Sequence, residues 1–271
     1  MSIVSTDWTE KNLSKIKIID CSWHMPNQES NGHTEYLKKH IENAIFFDLD
    51  KNSDQNTDLP HMLASKENWE KIISKMGLNN DDNIVVYDNS DVISSCRCWY
   101  NFIYFGHNPN LIHVLDGGLK KWIQEGKFTT DKITQTNFSR YIAKENKELV
   151  KNKLQIDNNI LNKNFIVIDA RSKDRFEGKA KEPRKGLRSG SIPSSFCIPF
   201  NELINNDHSF KSTNELSDIF KKTLGDNMSL NVVFSCGSGV TASVLALAYS
   251  LINNKYMPVV YDGSWAEYGR S

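Results

Sequence analysis

A cysteine, two glycines and two hydroxyl side chains stand within six residues at Cys236-Gly237-Ser238-Gly239-Val240-Thr241. The segment follows the apolar run Val232-Val233-Phe234 and precedes an apolar stretch of helical periodicity over residues 241–252. Glycines at this spacing let the backbone bend tightly and turn several N–H groups toward one point. A cysteine placed there sits in positive potential, because loop donors and the N-terminal end of a helix dipole both favour thiolate over thiol. The chemistry this allows is nucleophilic. A buried cysteine beside a helix cap is the plain alternative, but strand, cysteine, Gly-rich turn and helix in succession argue against it.

Two guests suit such a cradle, phosphate and sulfur. Cysteine phosphatases need an arginine six positions after the nucleophile to clamp phosphoryl oxygens, and that position here is Ala242. The loop is also one residue short for a phosphate, so sulfur fits better. The other cysteines, Cys21, Cys96, Cys98 and Cys197, read as small core residues. They lack metal-type spacing, and no metal or organic cofactor is expected.

The elements that must position this loop occur twice. Ile18-Ile19-Asp20 recurs as Val167-Ile168-Asp169 at an offset of 149, and Ile84-Val85-Val86-Tyr87-Asp88 as Val232-Val233-Phe234-Ser235-Cys236 at 148. Val114-Leu115-Asp116-Gly117-Gly118 recurs as Val260-Tyr261-Asp262-Gly263-Ser264 at 146. Three landmarks in one order predict a duplicated domain. Within each copy, short β-branched runs alternate with helical stretches such as Ser65–Met76 and Thr241–Ile252. That alternation predicts α/β domains, each a mainly parallel sheet flanked by helices. The polar stretch from Thr130 to Asn152 suits a linker. The expected division is a non-catalytic domain over 1–140, a linker over 141–155 and a catalytic domain over 156–271. Ligands collect at the carboxyl ends of parallel strands, and Cys236 falls there. Its counterpart is Asp88, so the first copy cannot run cysteine chemistry.

With 33 basic and 33 acidic residues, the 271-residue chain carries no excess charge directed at nucleic acid or an anionic membrane. No run approaches the length of a membrane span, and the N-terminus lacks an apolar signal core. The five cysteines are an odd number, which together with these features predicts reduced thiols in a cytoplasmic chain. The duplicated plan suits a monomer.

The chain resembles two-domain rhodanese-type proteins of the 3-mercaptopyruvate sulfurtransferase family over nearly its whole length. The resemblance rests on Cys-Gly-Ser-Gly-Val-Thr-Ala at 236–242, on Asp169-Ala170-Arg171-Ser172, Arg175-Phe176, Glu182-Pro183-Arg184 and Gly186-Leu187-Arg188-Ser189-Gly190. Phe46-Phe47-Asp48-Leu49-Asp50, Leu59-Pro60-His61-Met62-Leu63, Leu115-Asp116-Gly117-Gly118 and Asp262-Gly263-Ser264-Trp265 extend it. The chain departs from the pattern at Ser191-Ile192-Pro193-Ser194-Ser195, at Cys197, and at Ser243, where many relatives have a second cysteine.

The resemblance implies two tandem rhodanese-like domains and a sulfur carrier at Cys236, with Gly237, Gly239, Val240 and Thr241 around the substrate sulfur. It assigns Arg175 and Arg184 to the carboxylate and keto oxygen of 3-mercaptopyruvate, whose planar carboxylate suits an arginine fork; Arg188 receives no role. It implies that Asp50 and His61 face Ser238, forming an Asp-His-Ser chain that polarises the serine hydroxyl. Cyanide, a small thiol or reduced thioredoxin would take the sulfur from a Cys236 persulfide. A thiosulfate-using sulfurtransferase and a non-catalytic sulfur-binding module remain as alternatives. Thiosulfate-using relatives typically place basic side chains after the cysteine, which this loop lacks.

Overall fold

The computed structural model describes residues 2–225, 228 and 231–270. It contains two five-stranded parallel sheets built on one plan. The first runs Ile3–Val4, Ile112–Leu115, Ile84–Tyr87, Lys17–Asp20, Ala44–Phe46 from edge to edge, and every neighbouring pair is parallel. The second runs Val150–Lys151, Val260–Tyr261, Val232–Ser235, Ile166–Asp169, Phe196–Cys197, again parallel throughout. Each strand of one sheet thus has a counterpart at the same place in the other, as the sequence repeat predicts. The α/β expectation is met in both copies.

The central strands are continuous apolar runs because helices cover both faces of such a sheet. Ile84, Val85, Val86, Val232 and Phe234 are fully buried. The helix expected over Ser65–Met76 spans Lys66–Lys75, with Ser65 Oγ accepting the Asn68 N–H as N-cap. The helix expected from Thr241 spans Val240–Ile252. It has no charged residue, and nine of its side chains from Val240 to Tyr249 are buried, as befits a helix packed on all sides.

Contacts divide the chain into two units that are not consecutive halves. One comprises 1–55, 63–146 and 206–209; the other comprises 56–62, 147–205 and 210–271. The short excursion at 56–62 carries His61. Its Asp58 carboxylate accepts from Arg270 Nη1 at 2.8 Å, which ties it to the C-terminal segment of its own unit.

The stretch expected as a linker is also more structured than its composition suggests. Thr129–Thr130 pairs antiparallel with His40–Ile41, and Val150–Lys151 joins the second sheet at its edge. Between them the chain lies against the first unit through Ser139 N–H to Ser74 O at 2.9 Å and Lys144 N–H to Phe105 O at 2.9 Å. Only scattered side chains such as Tyr141 and Ala143 are buried, so no periodicity marks the strap. Among the described residues no helix is long and apolar enough to cross a membrane.

Gly118 adopts φ +56°, and a Cβ there would lie 2.4 Å from the Asp88 carbonyl oxygen. Gly118→Ser should therefore destabilise the first unit by about 2–3 kcal/mol, since both left-handed strain and a backbone clash oppose it. Chemical denaturation checks the size. Hydrogen exchange should show the loss in strands 84–87 and 112–115 rather than in the second sheet.

Candidate active site

The strand Val232–Ser235 lies at the centre of the second sheet, and Cys236 follows directly at its carboxyl end. Gly239, at φ +80°, turns the chain into the helix that begins at Val240. Cys236 is 1% exposed. Two backbone bonds fix the loop from the C-terminal helix Ser264–Tyr268: Trp265 N–H to Cys236 O at 2.9 Å and Ala266 N–H to Gly237 O at 2.8 Å. The N–H groups of Cys236 and Gly239 both donate to Ser264 Oγ, at 3.2 Å each. Val240 and Thr241 open the helix, where the first N–H groups have no intrahelical acceptor. With the Cys236 and Gly239 N–H groups taken by Ser264, the donors at the helix start are the backbone groups left beside the cysteine, a setting suited to a sulfur anion.

Two arginines reach this loop. A Cβ built on Gly237 would lie 3.4 Å from Arg184 Nη1 and 3.5 Å from Arg175 Nη2, so both guanidinium ends stand over the glycine. The bare Cα leaves them room. Arg175 comes from the short helix Lys173–Phe176 and is held by Glu182, with Nε and Nη2 donating to its carboxylate at 3.2 and 2.5 Å. One side of the fork is thus occupied, and only the remaining N–H groups can meet an anion above the loop.

Glu182 is almost fully buried and also accepts from Arg171 Nη1 at 2.7 Å. The Arg171 side chain has no exposed surface; it bonds both carboxylate oxygens of Asp169 and the Gly190 carbonyl, and its guanidinium lies 4.2 Å from the Trp265 ring centroid. Burying two cations with two carboxylates satisfies the charges that burial alone would penalise. Arg188 stacks on the same indole at 4.6 Å, which gives it a packing contact.

Ser238 is buried and stands between two partners. His61 Nδ1 lies 2.9 Å from Ser238 Oγ, and Arg184 Nη2 donates to the same oxygen at 3.3 Å. An oxygen that accepts from Arg184 can give its own hydrogen to Nδ1. The expected meeting of His61 and Ser238 is present because segment 56–62 packs with the cysteine's own unit. His61 holds a left-handed backbone, φ +61°. Asp50 lies in the first unit, exposed, with both carboxylate oxygens 3.0 Å from Trp23 Nε1–H.

The sequence motifs and repeat that contain Asp169, Arg171, Glu182 and Ser264 assign none of the four a role. An acidic residue beside a run of arginines is the signal that could have singled out Glu182.

The first unit has filled its own cradle. Asp88, at the counterpart of Cys236, turns its carboxylate back onto its loop and accepts the Ser90 and Ser95 N–H groups at 2.9 Å each. The remaining cysteines differ from Cys236 in setting. Burial holds the thiols of Cys21 and Cys96 well above the ordinary range and pushes Cys197 up to about 12, so these three stay protonated and unreactive at neutral pH. Among the described residues no cluster of His, Cys, Asp and Glu could hold a metal.

Glu182→Gln should cost at least about 2 kcal/mol, because it leaves Arg171 and Arg175 with one buried anion fewer between them. Urea unfolding measures this. The same variant should weaken binding of pyruvate as an anion probe, since the Arg175 fork is no longer pinned on one side.

Rhodanese-like domain models match residues 5–125 and 148–271. Thiosulfate/3-mercaptopyruvate sulfurtransferase 1, mitochondrial, of Arabidopsis thaliana is 38% identical over 98% of this chain and 75% of its own length. The 3-mercaptopyruvate sulfurtransferase of Escherichia coli K12 is 34% identical over 98% of this chain and 94% of its own. The crystal structure of SseA from Escherichia coli superposes with a TM-score of 0.85 at 32% identity, covering 98% of this chain and all of that one. With a repeated parallel sheet, a buried cysteine loop in the second copy alone and these matches, the chain belongs to the rhodanese-like family, as a two-domain sulfurtransferase of the 3-mercaptopyruvate sulfurtransferase group.

Proposed function

We propose that this chain moves sulfur from 3-mercaptopyruvate to a thiophilic acceptor through a persulfide on Cys236. The observation that carries the reading is the pair of guanidinium ends, Arg175 and Arg184, standing over Gly237 beside the cysteine. A donor carboxylate and keto oxygen can dock on them while its thiol faces Cys236. The loop itself has no charged side chain from Gly237 to Ala242, so its positive potential comes from backbone groups and from the two arginines outside it. That favours a donor whose single carboxylate is held at a distance over thiosulfate, a compact dianion. Thiosulfate appears in the name of the Arabidopsis relative, so the two donors make the natural comparison.

In the proposed reaction the Cys236 thiolate attacks the donor sulfur. The carbon–sulfur bond breaks, and its electron pair leaves with carbon as pyruvate enolate. The donor thiol proton passes to that carbon, giving pyruvate and Cys236 persulfide. Ser238, between His61 Nδ1 and Arg184, is placed to relay this proton and to steady the enolate oxygen. Asp50 enters the proposal as the third member of the expected chain, with Trp23 orienting its carboxylate.

A second thiophile then takes the outer sulfur; cyanide, a small thiol and reduced thioredoxin are the acceptors to compare. The proposal includes a monomer in a cytoplasmic setting. An odd number of cysteines without paired spacing supports a reducing compartment.

Cys236→Ser should abolish turnover in a folded chain, and mass spectrometry of the native protein after 3-mercaptopyruvate should find the sulfur adduct on Cys236. A kinetically competent adduct on any other cysteine overturns the assignment. Cys21, Cys96 and Cys98 are core side chains, so the native chain is the right one to test.

Arg175→Lys should lower kcat/KM for 3-mercaptopyruvate by roughly 10- to 150-fold, the loss of one charge-assisted bond of about 1.5–3 kcal/mol. A lysine ammonium cannot meet Glu182 and a substrate anion with one planar fork. With cyanide as common acceptor, native protein should form thiocyanate faster from 3-mercaptopyruvate than from thiosulfate. The reverse order would make thiosulfate the donor, and inactivity with both would leave a sulfur-binding module.

A further inference from the structure

The two copies close their strand-to-helix loops with the same backbone bond and differ in one side chain beside it. Leu119 N–H donates to Asp88 O at 2.9 Å in the first unit, and Trp265 N–H donates to Cys236 O at 2.9 Å in the second. The residue just before the donor is Gly118 at φ +56° in one copy and Ser264 at φ +48° in the other. Glycine takes a left-handed conformation freely, whereas serine takes it at a steric cost. The second copy therefore keeps a strained residue where its own duplicate uses the relaxed one.

What the serine adds is a hydroxyl with every valence engaged. Ser264 is fully buried. Its Oγ accepts the Cys236 and Gly239 N–H groups, both at 3.2 Å, and donates to the Tyr261 carbonyl at 2.8 Å. A hydroxyl committed to three partners cannot rotate away, so it pins both ends of the turn that contains Cys236. In the first copy two N–H groups of the loop region are captured by the Asp88 carboxylate instead, and no such hydroxyl is needed.

We propose that Ser264 is a positioning residue for the sulfur-carrying loop. Its hydroxyl draws the N–H groups of Cys236 and Gly239 to the inner side of the turn, which leaves those of Gly237, Ser238, Val240 and Thr241 to surround the sulfur. This rests on the reading of Cys236 as the sulfur carrier. Its physical content is preorganisation: donors that stabilise the thiolate, and then the terminal persulfide anion, are already aimed and need not reorganise during transfer.

The test uses the full chain carrying Ser264→Gly, the residue of the first copy, and separately Ser264→Ala. Three quantities are compared with native protein: the rate at which iodoacetamide alkylates Cys236 at pH 7 without donor, kcat and KM for 3-mercaptopyruvate with cyanide, and the lifetime of the persulfide by mass spectrometry. Ser264→Gly should unfold near the native temperature, because relieved strain offsets lost bonds. Alkylation should slow and the persulfide should decay faster. Turnover should fall on the order of tenfold or more, as misaimed donors imply, with KM within about threefold of native because both arginines are untouched.

A folded Ser264→Gly with native alkylation rate and native kcat overturns the proposal. So does a loss of kcat that merely follows the folded fraction. Should the glycine variant fail to fold, Ser264→Ala decides by the same three readings. A native chain that forms no persulfide on Cys236 would sink the sulfur-carrier reading separately, while the donor-free alkylation comparison still reports on Ser264.

Discussion

The buried Arg171 guanidinium is the constraint on which the rest of the second unit's site depends. It joins Asp169 at the end of a central strand, Glu182 and the Gly190 carbonyl in the arginine-bearing loop, and the face of Trp265 in the C-terminal helix. Trp265 in turn donates its backbone N–H to Cys236 O. A cation with no exposed surface must have all its charge and donors answered, so the groups around it cannot move independently. Loop, arginines and Cys236 are thereby held in one geometry. The counterpart of Arg171 in the first unit is Ser22, and there burial pushes the Asp20 carboxyl up to about 6, offset in part by bonds from Ser22. At these counterpart positions the first unit has neither the cation nor the cysteine.

Around that anchor the charges are arranged in tiers. The innermost pair, Asp169 and Arg171, is structural. Glu182 is shared, so that Arg175 has one side of its fork fixed and the other available. Arg184 spans the outer tier, touching Ser238 and standing over Gly237. This gradation explains why similar arginines in one basic stretch have different surroundings: Arg171 is fully answered, Arg175 half answered, and Arg188 stacked on an aromatic face. The thiol chemistry follows the same logic. Burial pushes the thiols of Cys21 and Cys96 up, whereas Cys236 stands in a Gly-rich loop with two guanidinium ends over its neighbour Gly237.

The duplication and the parallel α/β architecture were legible, and Cys236 stood out as the candidate reactive position, because each is written in local pattern. Apolar runs of strand length, a Gly-rich turn and a helix with no charged residue need only neighbours in the chain to be read. The strap from residue 130 to 150 was not legible as structure, because its order comes from backbone bonds to distant carbonyls such as those of Ser74 and Phe105. Nor could sequence spacing show that residues 56–62 leave their own copy for the other unit.

By itself, then, the sequence determined which residue types could do chemistry and on what scaffold. Tertiary structure alone decided which of them meet: His61 with Ser238 at a separation of 177 residues, Ser264 under the cysteine loop, Glu182 gripping two arginines at once. The reason is physical. Strand and helix periodicity follow from dihedral and hydrophobic preferences of adjacent residues, whereas a buried polar contact exists only where the completed fold brings two desolvated groups within hydrogen-bond reach.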